Sequence, residues 1–219
     1  MNDVVQNLID GLGRGSVYAL LALGIALIFG AELGRAPWDV LHEGIGERLD
    51  VGVGAVIIAS GVAIMVLWIP LRERPGIGTV LNALLIGLVF DQVLPHVPDT
   101  ELLAPRLALL FGGILVVGVG SGIYIRAELG AGPRDGLMTG LERVTPMSIR
   151  VARTLIEVVV LATGFVLGGE IGFGTLAFAL GIGPVVQVAL RVTDSLLGAT
   201  DPPSTPPNEP HPSPDTEAY

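Results

Sequence analysis

The 219-residue chain contains no cysteine and no lysine. Without cysteine it can form no disulfide, thiolate nucleophile or cysteine metal site, so helix packing has to hold the fold together. Without lysine it can carry neither a Walker-type phosphate loop nor a Schiff base. Its three histidines, His42, His96 and His211, have no ligand spacing, and we therefore expect neither a metal site nor a cofactor.

Charge is also scarce, since charged residues make up 15% of the chain and hydrophobic residues 51%. A soluble domain would carry about 25% charged residues. The composition therefore predicts an all-α membrane protein whose main partner is the lipid bilayer. The net charge of −9 gives no basis for nucleic-acid binding, and four of the acids (Asp201, Glu209, Asp215, Glu217) lie in a tail without basic residues.

A long internal repeat is present. The stretch AELGRAPWDVLHEG (31–44), which we call the module, returns 96 residues later as AELGAGPRDGLMTG (127–140). The same offset relates GIGT (76–79) to GFGT (172–175). In an ungapped alignment of 24–94 with 120–190, 20 of 71 positions are identical, so we infer a duplication.

Six apolar stretches have about the length needed to cross a bilayer, which is roughly 20 helical residues. They are residues 16–31, 51–71, 75–94, 107–125, 151–169 and 171–190. The sequence thus predicts an N-terminal segment (1–15), repeat 1 (16–94), a linker (95–106), repeat 2 (107–190) and a disordered Pro-rich acidic tail (195–219). Each module should form a short amphipathic helix that lies either at the interface or as a re-entrant segment.

The arginines predict that the two repeats are inverted. Three spans per repeat make the second copy enter the membrane from the opposite side. Arg72 and Arg74 follow span two, whereas its counterpart loop has Glu170 and no base. The loop after span one has Arg35 and Arg48, and its counterpart holds five arginines: Arg126, Arg134, Arg143, Arg150 and Arg153. With both termini in the cytoplasm, most arginines fall on the cytoplasmic side.

The recurring motifs supply the candidate binding residues. In PWD and PRD, Pro37 and Pro133 suit the first position of a helix, and Asp39 and Asp135 suit its first turn. The alternative is that these helix starts line a substrate cavity. The glycines and threonines of the two GxGT motifs either pack tightly or form a broken helix end with ligand hydroxyls: Gly76, Gly78, Thr79, Gly172, Gly174 and Thr175. We expect both aspartates and both threonines to line one central cavity.

Arg153 and Glu157 are one helical turn apart near the start of span five. This spacing allows opposite charges to pair on a helix, and charges in a membrane need a partner or a cavity. We expect either an ion-coupling site or a structural pair.

The pattern ELGxxPxDxL followed by GxGT, present twice, resembles the YczE-like bacterial membrane proteins, relatives of the YitT group. The first copy departs from the pattern at Trp38, where the second has Arg134. The resemblance covers the chain except its tail and implies an integral plasma-membrane protein. It supplies no active site to carry over.

Inverted repeats are the usual plan of secondary transporters, whose sites lie where the halves meet. The sequence therefore favours a transporter or a membrane protein that binds a small molecule. The alternative is a scaffold or regulator that docks a cytoplasmic protein on its arginine-rich loop. We expect no enzyme, because no nucleophile, metal cluster or carboxylate pair stands out.

Overall fold

The computed structural model describes residues 3–126 and 132–197. Residues 198–219, most of the expected disordered tail, and the module residues 127–131 lie outside this range. Within it the chain forms eight α-helices, one short 3-10 turn at Leu94–His96 and no strand. The helices are α1 (Asp3–Ala31), α2 (Pro37–Leu49), α3 (Val53–Leu71), α4 (Ile77–Val93), α5 (Leu103–Arg126), α6 (Pro133–Val144), α7 (Ile149–Leu167) and α8 (Phe173–Leu197).

The helix starts repeat with the offset found in the sequence. Helices α2 and α6 begin at Pro37 and Pro133, and α4 and α8 begin at Ile77 and Phe173. Proline occupies the first helical position in α2 and α6, because that position needs no backbone donor and its φ is already helical. The expected helix starts are confirmed. We call α1–α4 the first half and α5–α8 the second half.

Four helical segments are long and apolar enough to cross a membrane: Val53–Leu71, Ile77–His96, Leu103–Ile125 and Phe173–Ser195. The apolar part of α1, Gly15–Ala31, is shorter. Helix α7 has 19 residues but includes Arg150, Arg153 and Glu157, which lower its hydropathy. The described residues therefore contain four candidate spans, where the sequence predicted six.

Some predicted boundaries differ from the helices. Helix α1 begins at Asp3, so no break separates the expected N-terminal segment from the first span. Helix α5 begins at Leu103, inside the expected linker. The prolines around Leu102 and Leu103 made this stretch resemble a loop in the sequence, although both residues are apolar.

Helices α1 and α5 form the centre of the bundle and run antiparallel. Tyr18 lies near Tyr124, with ring centroids 6.0 Å apart. Further along α1, Gly24 lies against Val117, and at its end the carbonyl of Ala31 accepts a hydrogen bond of 2.7 Å from Arg106. The buried core around this contact includes Ile28 and Leu110.

The module helices pack on the opposite half of the chain. Helix α2 of the first half lies on α7, and α6 of the second half lies on α3. Trp68 of α3 covers Gly136 of α6, where an added Cβ would stand 2.1 Å from the indole. The counterparts of these two positions are Gly164 and Val40, which also touch. At both contacts a larger residue faces a glycine. The larger residue belongs to α3 in the first contact and to the module helix α2 in the second.

The close packing of α3 on α4 has no counterpart in the second half among the described residues. Helix α3 packs on α4 so closely that a Cβ at Gly54 would stand 2.3 Å from the Gly87 carbonyl, and one at Gly61 2.8 Å from Ala83. Helices α7 and α8 form no such packed pair among the described residues. The positions equivalent to the two α3 glycines are Arg150 and Glu157, which are too large for such an approach.

The acids of α2 divide between the interior and the surface. Asp39 is 2% exposed and Glu43 8%, whereas Glu47 near the end of the helix is exposed. The buried Glu43 has a partner inside, since Arg35 contacts it at 2.8 Å and also pairs with Glu170 of the opposite half. An interfacial helix with all of its acids in water is not what the structure shows.

Candidate functional site

A cavity of 490 Å³ lies where the two halves meet, within the roughly 300–1,000 Å³ range of small-molecule pockets. All eight helices contribute to its wall. The apolar wall consists of Leu21, Ile25, Ile57, Ile64, Ile86, Val117, Met138, Phe178, Ile182 and Val186. The polar wall consists of Ser60, Asn82, Ser121, Tyr124, Arg134, Asp135, Arg153, Glu157 and Gln187. The cavity is amphipathic.

The first turns of both module helices contact each other in this wall. The guanidinium of Arg134 lies over the Trp38 ring, 4.9 Å from its centroid, and 3.8 Å from Asp39 Oδ1. A guanidinium is attracted both to an aromatic face and to a carboxylate. These contacts join the two halves at equivalent positions of the repeat.

A row of polar side chains leads from the cavity wall to Asp39. Ser60 Oγ lies 2.9 Å from Nε2 of His42, and Nδ1 of His42 lies 3.4 Å from Asp39 Oδ1. The order is that of a serine hydrolase triad. The Ser60 hydroxyl lies equally close, 2.9 Å, to the carbonyl of Ile57 on its own helix, to which it can donate. The row forms a polar link between the cavity wall and Asp39.

Asp135 lies at the start of α6 beside the backbone of Gly132. A Cβ added at Gly132 would stand 3.2 Å from Asp135 Oδ2 and 3.4 Å from the Tyr124 hydroxyl, so these two oxygens and the amide of Asn82 cluster around that glycine. Burial raises the pKa of Asp135, and the charges of Arg134 and Arg153 oppose the rise. The cluster places both hydrogen-bond donors and acceptors at the cavity.

Arg153 and Glu157 both line the cavity. Arg134 and Arg153 both act electrostatically on Glu157, and the described residues contain no ion pair for either Arg153 or Glu157. The role of Arg153 and Glu157 as an ion-coupling site or a structural pair stays a prediction.

The GxGT motifs lie outside the cavity. Thr79 and Thr175 are buried and accept hydrogen bonds of 3.2 Å from the backbone N–H groups of Gly76 and Gly172. Their hydroxyls cap α4 and α8, which agrees with the packing alternative. A ligand role for these threonines stays a prediction.

The glycines of these motifs are close-packing positions. The Gly78 carbonyl accepts from the Tyr18 hydroxyl at 3.0 Å, and Gly174 N–H donates to the Leu33 carbonyl at 2.5 Å. Gly34, with φ of 99°, presses against Gly172. This part of the first module contacts the second GxGT motif and no cavity.

Of the four side chains expected in one cavity, only Asp135 lines it. Asp39 lies behind Trp38 and Arg134, and both threonines are at caps. Pro37, Pro133 and Gly132 do line the cavity, whereas Gly130 lies outside the described residues. The repeated motifs therefore mark the architecture, while most polar residues of the cavity wall differ between the copies.

Sequence reasoning missed Ser60, Tyr124 and the contact of Trp38 with Arg134. The signal for the last of these was present, since Trp38 and Arg134 are the positions at which the two modules differ within PxD. Nothing in the sequence pairs Ser60 with His42, because they lie on different helices.

Comparison with known proteins agrees with this architecture. The model of the "Family of unknown function (DUF6198)" matches residues 17–191. The chain belongs to this family. The match includes both modules, both GxGT motifs and all cavity residues named above.

Three relatives are similar to the chain over most of its length. An uncharacterized protein of Haemophilus influenzae is 38% identical over 174 residues, which cover 80% of each chain. The Uncharacterized membrane protein YczE of Bacillus subtilis is 34% identical over 181 residues, or 81% of this chain and 84% of that protein. The Uncharacterized protein YyaS of Bacillus subtilis is 27% identical over 179 residues, or 80% and 89%. No solved structure matches the chain.

The expected likeness to YczE is thus confirmed, and this DUF6198 chain is a membrane protein with apolar helices long enough to span a bilayer.

Proposed function

We propose that this DUF6198 protein is a bacterial plasma-membrane transporter that binds a small molecule in the cavity between its halves. Its six spans would be the apolar part of α1 together with α3, α4, α5, α7 and α8, arranged as two inverted three-span repeats. Helix α7 would qualify because Arg153 and Glu157 face the cavity and not lipid. Both termini would lie in the cytoplasm, as the arginine distribution favours.

The antiparallel packing of α1 on α5 supports the inversion. Leu21 contacts Gly120, and the equivalent pair, Gly24 and Val117, also makes contact. Such reciprocal contacts are what a two-fold axis between the repeats requires. The exchange of α2 onto α7 and of α6 onto α3 follows the same symmetry.

The cavity is the observation that carries the transport proposal. Secondary transporters bind substrate near the midplane, where the repeats meet and helices are interrupted. Here Pro37 and Pro133 start short helices at the cavity, and four charged side chains line it. Charged groups of this kind inside a membrane protein mark substrate or ion pathways.

A single cysteine in the cavity tests this proposal, because the chain has none of its own. Ser121→Cys faces the cavity, and Leu115→Cys on the same helix is 55% exposed outside it. We expect a charged, membrane-impermeant thiol reagent to label position 121 in both right-side-out and inside-out vesicles. Position 115 should stay unlabelled, because it faces lipid. Labelling of position 121 from one side only would contradict transport.

The alternative, a scaffold that docks a cytoplasmic partner on the arginine-rich loop, has weaker support. Arg143 pairs with Glu73, and Arg134 contacts Asp39 and Trp38. These two side chains already have intramolecular partners. Among the described arginines of the loop, a scaffold would have to depend mainly on Arg150 and Arg153, which are exposed, so Arg150→Gln together with Arg153→Gln should abolish partner binding if the alternative holds.

A further inference from the structure

Helices α7 and α8 do not pack on each other closely, and we call the space between them the gap. The gap lies on the side of α7 and α8 that would face the bilayer. On the other half, the glycines of α3 let α4 close the equivalent position. On this half, Arg150 and Glu157 replace those glycines, and α8 stands away from α7. Only 17% of the α8 span is buried, against 28% to 44% for the other candidate spans.

The edge of this gap carries free space as well as apolar side chains. Gly183 of α8 lines the cavity, and a Cβ added there would have no neighbour within 4 Å. Phe178 and Val186 of the same helix form apolar wall. The α8 wall therefore offers both apolar surface and free space for a hydrocarbon chain.

The polar end of the cavity presents both signs of charge. Two cations and two acids line it, Arg134, Asp135, Arg153 and Glu157. Arg153 and Glu157 lie one turn apart on α7, and neither has an ion pair with a described residue, although Arg134 and Arg153 both act electrostatically on Glu157. A charge that faces a membrane cavity without a partner is costly. A ligand head that carries an anionic and a cationic group would give each of them a counter-charge, whereas a head of one sign would satisfy only one.

We infer that the cavity takes an amphipathic molecule with a zwitterionic head, which enters from the bilayer between α7 and α8. This inference rests on the proposed binding function of the same cavity and adds the chemical class of the ligand and its route. The head lies between Arg153 and Glu157, and the chain lies along α8.

Tryptophan fluorescence tests the ligand class, because Trp38 lines the cavity and Trp68 is buried beneath α6. The full-length protein in maltoside detergent is titrated with lysophosphatidylcholine brominated on its acyl chain. We expect saturable quenching that is lost in Trp38→Phe. Dodecyl maltoside brominated on the same chain, which has an uncharged head, should quench without saturation. Equal saturable binding of both probes would overturn the zwitterionic head.

Two matched glycine variants test the route. Gly183→Leu fills the gap without a clash, and Gly112→Leu on α5 adds the same side chain where nothing lies within 4 Å and no cavity is present. We expect Gly183→Leu to raise the half-saturating probe concentration at least about tenfold and Gly112→Leu to leave it unchanged. Quenching that is insensitive to Gly183→Leu would overturn entry between α7 and α8.

A change in which head group binds better tests where the ligand head lies. Glu157→Gln should weaken binding of the zwitterionic probe and improve binding of a brominated fatty acid, because Arg153 then faces the cavity without a nearby acid on its helix. An unchanged preference would contradict placement of the head at these two residues. Brominated phosphatidylcholine in nanodiscs, compared with the single-chain probe, distinguishes a bilayer lipid from a free surfactant as the source.

Failure of this inference is distinguishable from failure of the proposed function. If no probe quenches saturably while Ser121→Cys is still labelled from both sides, the ligand is not amphipathic and transport stands. If labelling also fails, the transport proposal falls with it.

Discussion

Trp38 and Arg134 occupy equivalent positions of the two repeats and contact each other. A two-fold arrangement brings a residue close to the axis against its own counterpart. Two arginines there would repel each other, and two tryptophans would leave Asp39 without a cation. The mixed pair is attractive, which gives a physical reason why the two modules differ at this position.

The buried histidine should make stability depend on pH. Burial lowers the pKa of His42, and the neighbouring Asp39 only partly opposes this. In the unfolded chain a histidine takes up a proton near pH 6.5, while in the folded protein His42 does so only at lower pH. The unfolded state therefore binds more protons as the pH falls below about 6.5, and stability should decrease.

We expect His42→Gln to reduce the fall in melting temperature between about pH 7.5 and about pH 5. Thermal unfolding in detergent at a series of pH values measures this. His96→Gln, in the exposed 3-10 turn that follows α4, removes a histidine far from this buried site and is the matched control. An identical pH dependence in all three proteins would show that His42 does not titrate as proposed.

At the scale of elements, the contact of α3 with α4 depends on glycine. Gly54 donates its N–H to Asp91 at 2.9 Å, and a Cβ at this position would meet the backbone of Gly87. Backbone cannot move aside as a side chain can. The helices can approach this closely only while position 54 remains glycine.

Gly54→Ala should therefore destabilise the protein by about 1–3 kcal/mol, the usual cost of overpacking. Gly112→Ala is the control, because its Cβ would have no neighbour within 4 Å. Both substitutions raise helix propensity alike, so a difference in melting temperature reports packing. Equal melting temperatures would mean that α3 and α4 are not in close contact.

At the scale of the whole molecule, inversion predicts that the ends of α2 and α6 lie on opposite sides of the membrane. Glu47 and Glu142 are exposed residues near these ends. We expect a membrane-impermeant thiol reagent to label Glu47→Cys on intact cells and Glu142→Cys only after permeabilisation. Labelling of both positions in intact cells would refute the proposed inversion and the cytoplasmic placement of the arginine-rich loop.

The sequence by itself determined the elements and their order. The apolar runs, the prolines before the module helices and the constant offset of 96 residues placed most helix starts correctly, because helix formation and membrane insertion depend on local composition. Asp135 was identifiable from its repeated motif, and it lines the cavity.

Only the tertiary structure decided which groups meet in the site. Thr79 and Asp135 both belong to repeated motifs, yet one caps its own helix and the other faces the cavity. The contacts of Ser60 with His42 and of Arg134 with Trp38 join residues on different helices, and no spacing along the chain encodes them. The gap between α7 and α8 likewise depends on whether two distant helices can approach. Sequence fixes local preference, whereas a site depends on how faces from different helices pack together.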